Sequence, residues 1–203
     1  MPQPTVTDAQ RLRDAGLPAF FRPQDAEAAG IPYGHLRRME EAGLVEREGW
    51  GLYRRTDADF SRHHSLAAVC ARVPSAIVSL ITALSVHEIG TQIPFGVWIA
   101  IPHGDRAPVV QGFRLNVTRF SGASLRYGVV ETEFEGVPAR ITTPARTVVD
   151  CFRFRSKVGL DVALEALDDA LLWNKVTRDE IGRAAEACRA RSLLEPLLYP
   201  RFL

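Results

Sequence analysis

Lysine is almost missing from this chain. It occurs only at Lys157 and Lys175, so nearly all of the 25 basic residues are arginine. Alanine is abundant too, and the bias reads better as genome-wide base composition than as an adaptation to phosphate. Neither sign of charge is in excess: 24 acidic residues leave a formal net charge of +1. Whole-chain charge therefore points to no polyanionic partner, and any nucleic-acid contact must come from a local patch. Cysteine is scarce. Cys70, Cys151 and Cys188 are odd in number, far apart and without CxxC spacing. That excludes a closed disulfide framework and fits small buried hydrophobes in a reducing, cytoplasmic compartment. Long apolar runs are lacking as well. Residues 77–84 and 97–101 are too short or too polar to span a bilayer. Residues 1–10 have no apolar stretch, so no signal peptide is expected.

Catalytic patterns are equally absent. There is no GxSxG, no P-loop and no Rossmann glycine set. His63, His64, His87 and His103 do not stand at i, i+4 around a carboxylate, and no cysteine lies at ligand spacing. The expectation is a protein that is not an enzyme and needs no metal or cofactor.

What is present is an ordinary globular composition over 203 residues, 46% hydrophobic and 24% charged, enough for two small domains. Residues 5–15 read as a helix with Val6 and Leu12 on one side, followed by Phe20 and Phe21 as core anchors. Residues 23–29 form a short helix with proline in its first turn. Gly30 suits a left-handed helix end, and Pro32 opens a second helix over residues 33–42, closed by Gly43. Residues 44–47 and 51–54 read as strands joined by a glycine turn. After a polar linker at residues 57–62, helices are expected at 65–73, 82–89, 144–152 and 160–172. Strands are expected at 76–80, 97–101, 115–120, 129–134 and 137–141. Thr177 to Glu180 fits a capping box opening a last helix. The fold class is α+β: a winged helix-turn-helix over residues 1–56, then a mixed α+β domain over residues 57–203.

Two short helices, a tight turn and a hairpin are the parts of a winged helix-turn-helix, so double-stranded DNA is the expected partner. Leu36 and Met39 mark the buried face of the second helix. At 100° per residue Gly34, Arg38 and Glu41 lie opposite, with His35 and Arg37 on the flanks. Arg37 and Arg38 suit guanine or phosphate, and Gly34 allows close approach to the duplex. Trp50 stands at the wing tip with Arg47, Arg54 and Arg55 beside it. The segment as a whole is slightly acidic, with Glu40 and Glu41 next to the two arginines. The alternative is a module that contacts protein rather than DNA.

The stretch FRPQDAEAAGIPYGHLRRMEEAGLVEREGWGLYR, residues 21–54, resembles the N-terminal domain of AbiEi-type antitoxins. Asp25-Ala26, Gly30, Leu36, Met39, Gly43, Leu44, Gly51 and Tyr53 occupy that family's positions. The likeness continues in AIVSLITALSVHEI (76–89), in Pro94 with VWIAIP (97–102), and in TTPARTVVD (142–150). It implies a regulator of a type IV toxin–antitoxin, or abortive-infection, system. Such a protein represses its own promoter through inverted repeats and counteracts a nucleotidyltransferase-type toxin without forming a stable complex. A stand-alone transcriptional regulator is the neighbouring possibility. Some relatives carry a further nuclease-like domain; none is expected within these 203 residues.

Three further patterns have plain readings. Glu131, Glu133 and Glu135 alternate along a strand as a solvated face, with Val130 and Phe134 on the other side. Arg146 and Asp150 stand at i, i+4, an intrahelical ion pair worth about 0.3–0.5 kcal/mol if exposed. Arg140, Arg153, Arg155 and Lys157 make the second half locally basic, either a backbone-binding patch or an ordinary solvated face.

Overall fold

A computed structural model describes residues 7–49, 51–58 and 63–198. The first elements are α1 (Asp8–Asp14), β1 (Phe20–Phe21), α2 (Pro23–Ala28), α3 (Tyr33–Glu41), β2 (Val45–Gly49), β3 (Leu52–Arg55) and α4 (His64–Arg72). Then come β4 (Ile77–Val78), α5 (Leu80–His87), β5 (Val97–Pro102), β6 (Leu115–Phe120), β7 (Val129–Phe134) and β8 (Val137–Thr142). The chain ends with α6 (Pro144–Arg153), α7 (Arg155–Val158), α8 (Leu160–Leu172), α9 (Arg178–Ala187) and α10 (Arg191–Leu198). The class is the expected α+β, with a three-stranded and a five-stranded sheet among the described residues. Contacts divide the chain into two compact units. One is Met1–Pro74 with Glu133–Ala139, the other Ser75–Thr132 with Arg140–Leu203. The first unit thus reaches beyond residue 56, taking in α4 and the turn between β7 and β8.

In the first unit, the Thr7 hydroxyl caps α1 by accepting from the Gln10 N–H. The chain leaves α2 through Gly30, whose φ of +81° is the left-handed conformation that favours glycine. The Ile31 N–H donates back to the Ala26 carbonyl at 2.8 Å. α3 ends in the same way at Gly43, φ +69°. β2 and β3 form the expected hairpin. β1 pairs antiparallel with β3, Phe20 opposite Arg54 and Phe21 opposite Tyr53, giving the order β1-β3-β2. Phe20 and Phe21 are therefore a strand as well as core anchors; two residues are too few to display an alternation. Leu12, Leu17, Phe21, Ala26, Leu36, Met39, Val45 and Tyr53 share one buried cluster. Val6 lies outside the described residues.

The five-stranded sheet has the order β6-β5-β4-β8-β7. β4 runs antiparallel to β5 and parallel to β8, and β5 runs parallel to β6. The core of the second unit gathers residues of α5, α6, α8, α9 and α10. The stripe that α8 buries is Val162, Ala163, Ala166, Leu167 and Ala170, a helical i, i+4 pattern. Leu164 and Leu172 are exposed, while the small alanines take inward positions beside Val162 and Leu167. Thr177 and Glu180 form the expected capping box of α9. A further short helix, α10, follows it; the proline at 196 hides it from propensity.

The β7–β8 turn consists of Glu135 (φ +51°) and Gly136 (φ +77°), the backbone of a two-residue hairpin turn with both residues left-handed. Glu131 and Glu133 are exposed as expected, but Glu135 sits in the turn and leaves their alternation. Val130 is exposed while Phe134 is buried. Among the described residues β7 is the last strand of its sheet, with no strand along its outer edge.

Candidate nucleic-acid interface

α3 presents its faces as the periodicity predicts. Leu36 and Met39 are fully buried. Gly34, Arg37, Arg38 and Glu41 are exposed, and His35 is half-buried. A Cβ placed on Gly34 would meet nothing within 4 Å, and its φ is not left-handed. Nothing inside the fold requires glycine there. Tyr33, in the first turn, is 62% exposed. It is an aromatic on this surface that burial logic had no reason to single out.

The arginines are not idle. Arg37 donates from Nε to Glu41 Oε1 at 3.1 Å, and both side chains are largely exposed; such a pair is weak and easily exchanged. Arg38 donates to Asp8 Oδ2 at 3.3 Å and lies 2.8 Å from His35 Nδ1. Arg11 Nη1 and Asp8 Oδ1 each lie 3.1 Å from the same His35 nitrogen. As an acceptor, that nitrogen takes a hydrogen bond from a guanidinium; as a donor, it gives one to Asp8. The Arg38 hydrogen bond holds the Asp8 carboxyl below its ordinary range, with a smaller contribution from His35 and against a desolvation cost. Asp8 and Arg11, both on α1, thus brace two residues of α3. Sequence reasoning missed them because the partners are 24 to 30 positions apart, beyond any local periodicity.

On the wing, Arg47 is exposed on β2 opposite Tyr53. Arg54 is only 9% exposed. Its guanidinium donates to Glu48 Oε1 at 3.1 Å and to Glu46, so it ties the two wing strands together. Arg55 is held by both carboxylate oxygens of Asp57 and by the Leu17 carbonyl. Trp50 lies outside the described residues.

In the second unit, Arg146 and Asp150 are both wholly buried and joined at 2.8 Å. An exposed-pair energy therefore does not apply. Arg146 also donates to the carbonyls of Tyr127 (2.6 Å) and Ser124 (3.0 Å), and it lies over the Phe120 ring at 4.6 Å. Arg153 donates to the other Asp150 oxygen at 2.7 Å. Burial pushes the Asp150 carboxyl up, and the two guanidiniums pull against it. This network locks the start of α6 to the segment before β7. Of the basic residues singled out in this half, Arg153 is paired with Asp150, whereas Arg140, Arg155 and Lys157 each donate to a backbone carbonyl, of Ser75, Phe152 and Val117, and Arg155 and Lys157 are exposed. Among the described residues no group of three or more His, Cys, Asp or Glu side chains could hold a metal ion. None of their helices is long and apolar enough to cross a membrane.

Helix, glycine turn, second helix and two-stranded wing define a winged helix-turn-helix. Residues 18–56, which contain those elements, match the family described as transcriptional regulator, AbiEi antitoxin. No curated protein matches the chain. Among solved structures, the crystal structure of the RV2827C protein from Mycobacterium tuberculosis is similar at a TM-score of 0.58 and 18% identity, covering 96% of this chain and 78% of that chain. At that identity the likeness is one of fold.

Proposed function

We propose that this protein is a DNA-binding antitoxin that represses its own promoter and counteracts a nucleotidyltransferase-type toxin. Residues 1–56 form the DNA-binding module and residues 57–203 the antitoxin-type part. The observation that carries the DNA reading is the exposed face of α3. It pairs an unhindered Gly34 with two arginines, within a segment that matches a regulator family. α3 enters the major groove with Gly34 against the duplex and Arg37 and Arg38 on base edges or phosphates. His35 holds Arg38 in place. Arg47 and Trp50 of the wing meet the neighbouring backbone, and Arg54 positions the wing. The partner is double-stranded DNA with inverted repeats in the protein's own promoter. The opposition to a toxin rests on the family likeness and involves no stable complex.

Gel shift with the protein's own upstream DNA tests the reading. Wild type is expected to bind with strong salt dependence, and Arg37→Ala/Arg38→Ala to bind about tenfold more weakly or worse. Equal binding by the double variant overturns the groove assignment. The carboxylates beside both arginines, Glu41 and Asp8, favour a second reading, a protein-contacting module. Wild type that shows no salt-sensitive DNA binding would decide for it. Co-expression with a nucleotidyltransferase encoded next to this gene tests the antitoxin arm; growth must be rescued by the full chain.

A further inference from the structure

The first unit contains a cavity that DNA recognition does not use. It is a half-open hollow of about 410 Å³, and all of its lining residues belong to that unit. Its wall is apolar, built from Phe20 of β1, Leu52 of β3, Cys70 at the end of α4 and Pro138 after the β7–β8 turn. Burial pushes the Cys70 thiol up to about 12, so at neutral pH it is an uncharged wall group rather than a nucleophile. Arg22 and Asp25 supply charge at the start of α2. They are not equivalent. Asp25 already accepts the Arg22 backbone N–H at 2.7 Å, at the start of its own helix. The Arg22 guanidinium donates from Nη2 to the Ala71 carbonyl at 2.8 Å. Among the described residues no carboxylate forms an ion pair with Arg22. A half-buried cation with donors to spare therefore stands over an apolar floor.

Small-molecule sites combine this volume, roughly 300–1,000 Å³, with an apolar lining and a few convergent polar groups that fix orientation. We propose that this cavity binds a small organic anion with a ring-sized apolar body, its carboxylate on Arg22 and its body against Phe20 and Leu52. The guanidinium fork matches a carboxylate in shape as well as charge. The site does not depend on the DNA reading, since it is tested on the free protein.

The test is titration of the full chain with 2-naphthoate, and with 2-naphthalenemethanol as a neutral counterpart of the same shape. Calorimetry reads the affinity and NMR amide shifts read the location. Wild type is expected to bind naphthoate saturably, with shifts centred on Phe20, Arg22 and Leu52. Arg22→Gln should weaken naphthoate about tenfold or more, the size of one charge-assisted hydrogen bond, and change the alcohol less than about twofold. Cys70→Phe, which fills the wall, should abolish both. Should that variant fail to fold, the Arg22→Gln comparison decides alone. The proposal is overturned if wild type shows no saturable naphthoate binding at millimolar concentration. Shifts elsewhere in the chain, or equal weakening of acid and alcohol by Arg22→Gln, overturn it as well.

Discussion

Two polar residues of the second unit, one wholly buried and one half-buried, carry consequences out of proportion to their size. Asp150, wholly buried, balances Arg146 and Arg153. Removing one partner of a buried pair leaves an uncompensated charge, which costs about 3–5 kcal/mol. Asp150→Asn is expected to lose that much in urea unfolding. Arg146→Met/Asp150→Leu should recover only part of it, because the Ser124 and Tyr127 carbonyls lose their donor. His87 gives a pH signature. Its Nε2 donates to the Thr142 carbonyl at 2.6 Å. Burial lowers its pKa below the ordinary 6.5, against the Thr142 bond and helped by Lys175. The folded state therefore keeps His87 neutral where the unfolded chain begins to take up a proton. This group's contribution is fully present above about pH 6.5 and is lost as pH falls toward the depressed folded value. Tm of wild type relative to His87→Gln, measured at pH 8, 6.5 and 5.5, should be level at the first and drop at the last.

At the scale of elements, α3 separates stability from recognition. A Cβ at Gly34 would meet nothing within 4 Å, so Gly34→Ala should leave stability unchanged or raise it by up to about 1 kcal/mol through helix propensity. If the helix meets the duplex there, the same methyl lowers DNA affinity. Thermal melting and gel shift on one variant therefore move in opposite directions; affinity unchanged by the substitution would place the contact elsewhere on the helix. α3 was also legible in the sequence, because its signals are local. Gly30, Pro32 and Gly43 punctuate it, and Leu36 and Met39 mark its face. The brace behind it was not legible. Asp8 and Arg11 meet His35 and Arg38 only once α1 has packed against α3, and no short-range pattern reports such a meeting. In the same way Arg146 and Asp150 carry the spacing of an exposed pair, and only tertiary packing tells that they are interior. The leucines of α8 mislead for the opposite reason: hydrophobicity alone cannot say that Ala163, Ala166 and Ala170 will take the inward positions.

At the scale of the molecule, the first unit is not one continuous stretch. Residues 133–139 group with residues 1–74. The Glu135 carbonyl accepts the Ala19 N–H at 3.2 Å, and its carboxylate lies 3.2 Å from His64 Nδ1. The rings of His63 and Phe134 are 5.4 Å apart. A fragment of residues 1–74 should therefore unfold at lower urea than the same unit in the full chain. Joining residues 133–139 to it through a short linker should restore part of the loss. A fragment that unfolds at the same urea as the full chain's first unit would make the later segment dispensable.

This interleaving also sets a clock. On the ribosome the helices and wing emerge first, but the segment that completes their unit is about 60 residues behind. At roughly 5–20 residues per second, that is about 3–12 s. During that interval the newborn chain displays α3 from an unfinished scaffold. If the proposed operator binding holds, competence arrives only after nearly half of the second unit has been made, and a chain terminated before residue 133 is a poor repressor.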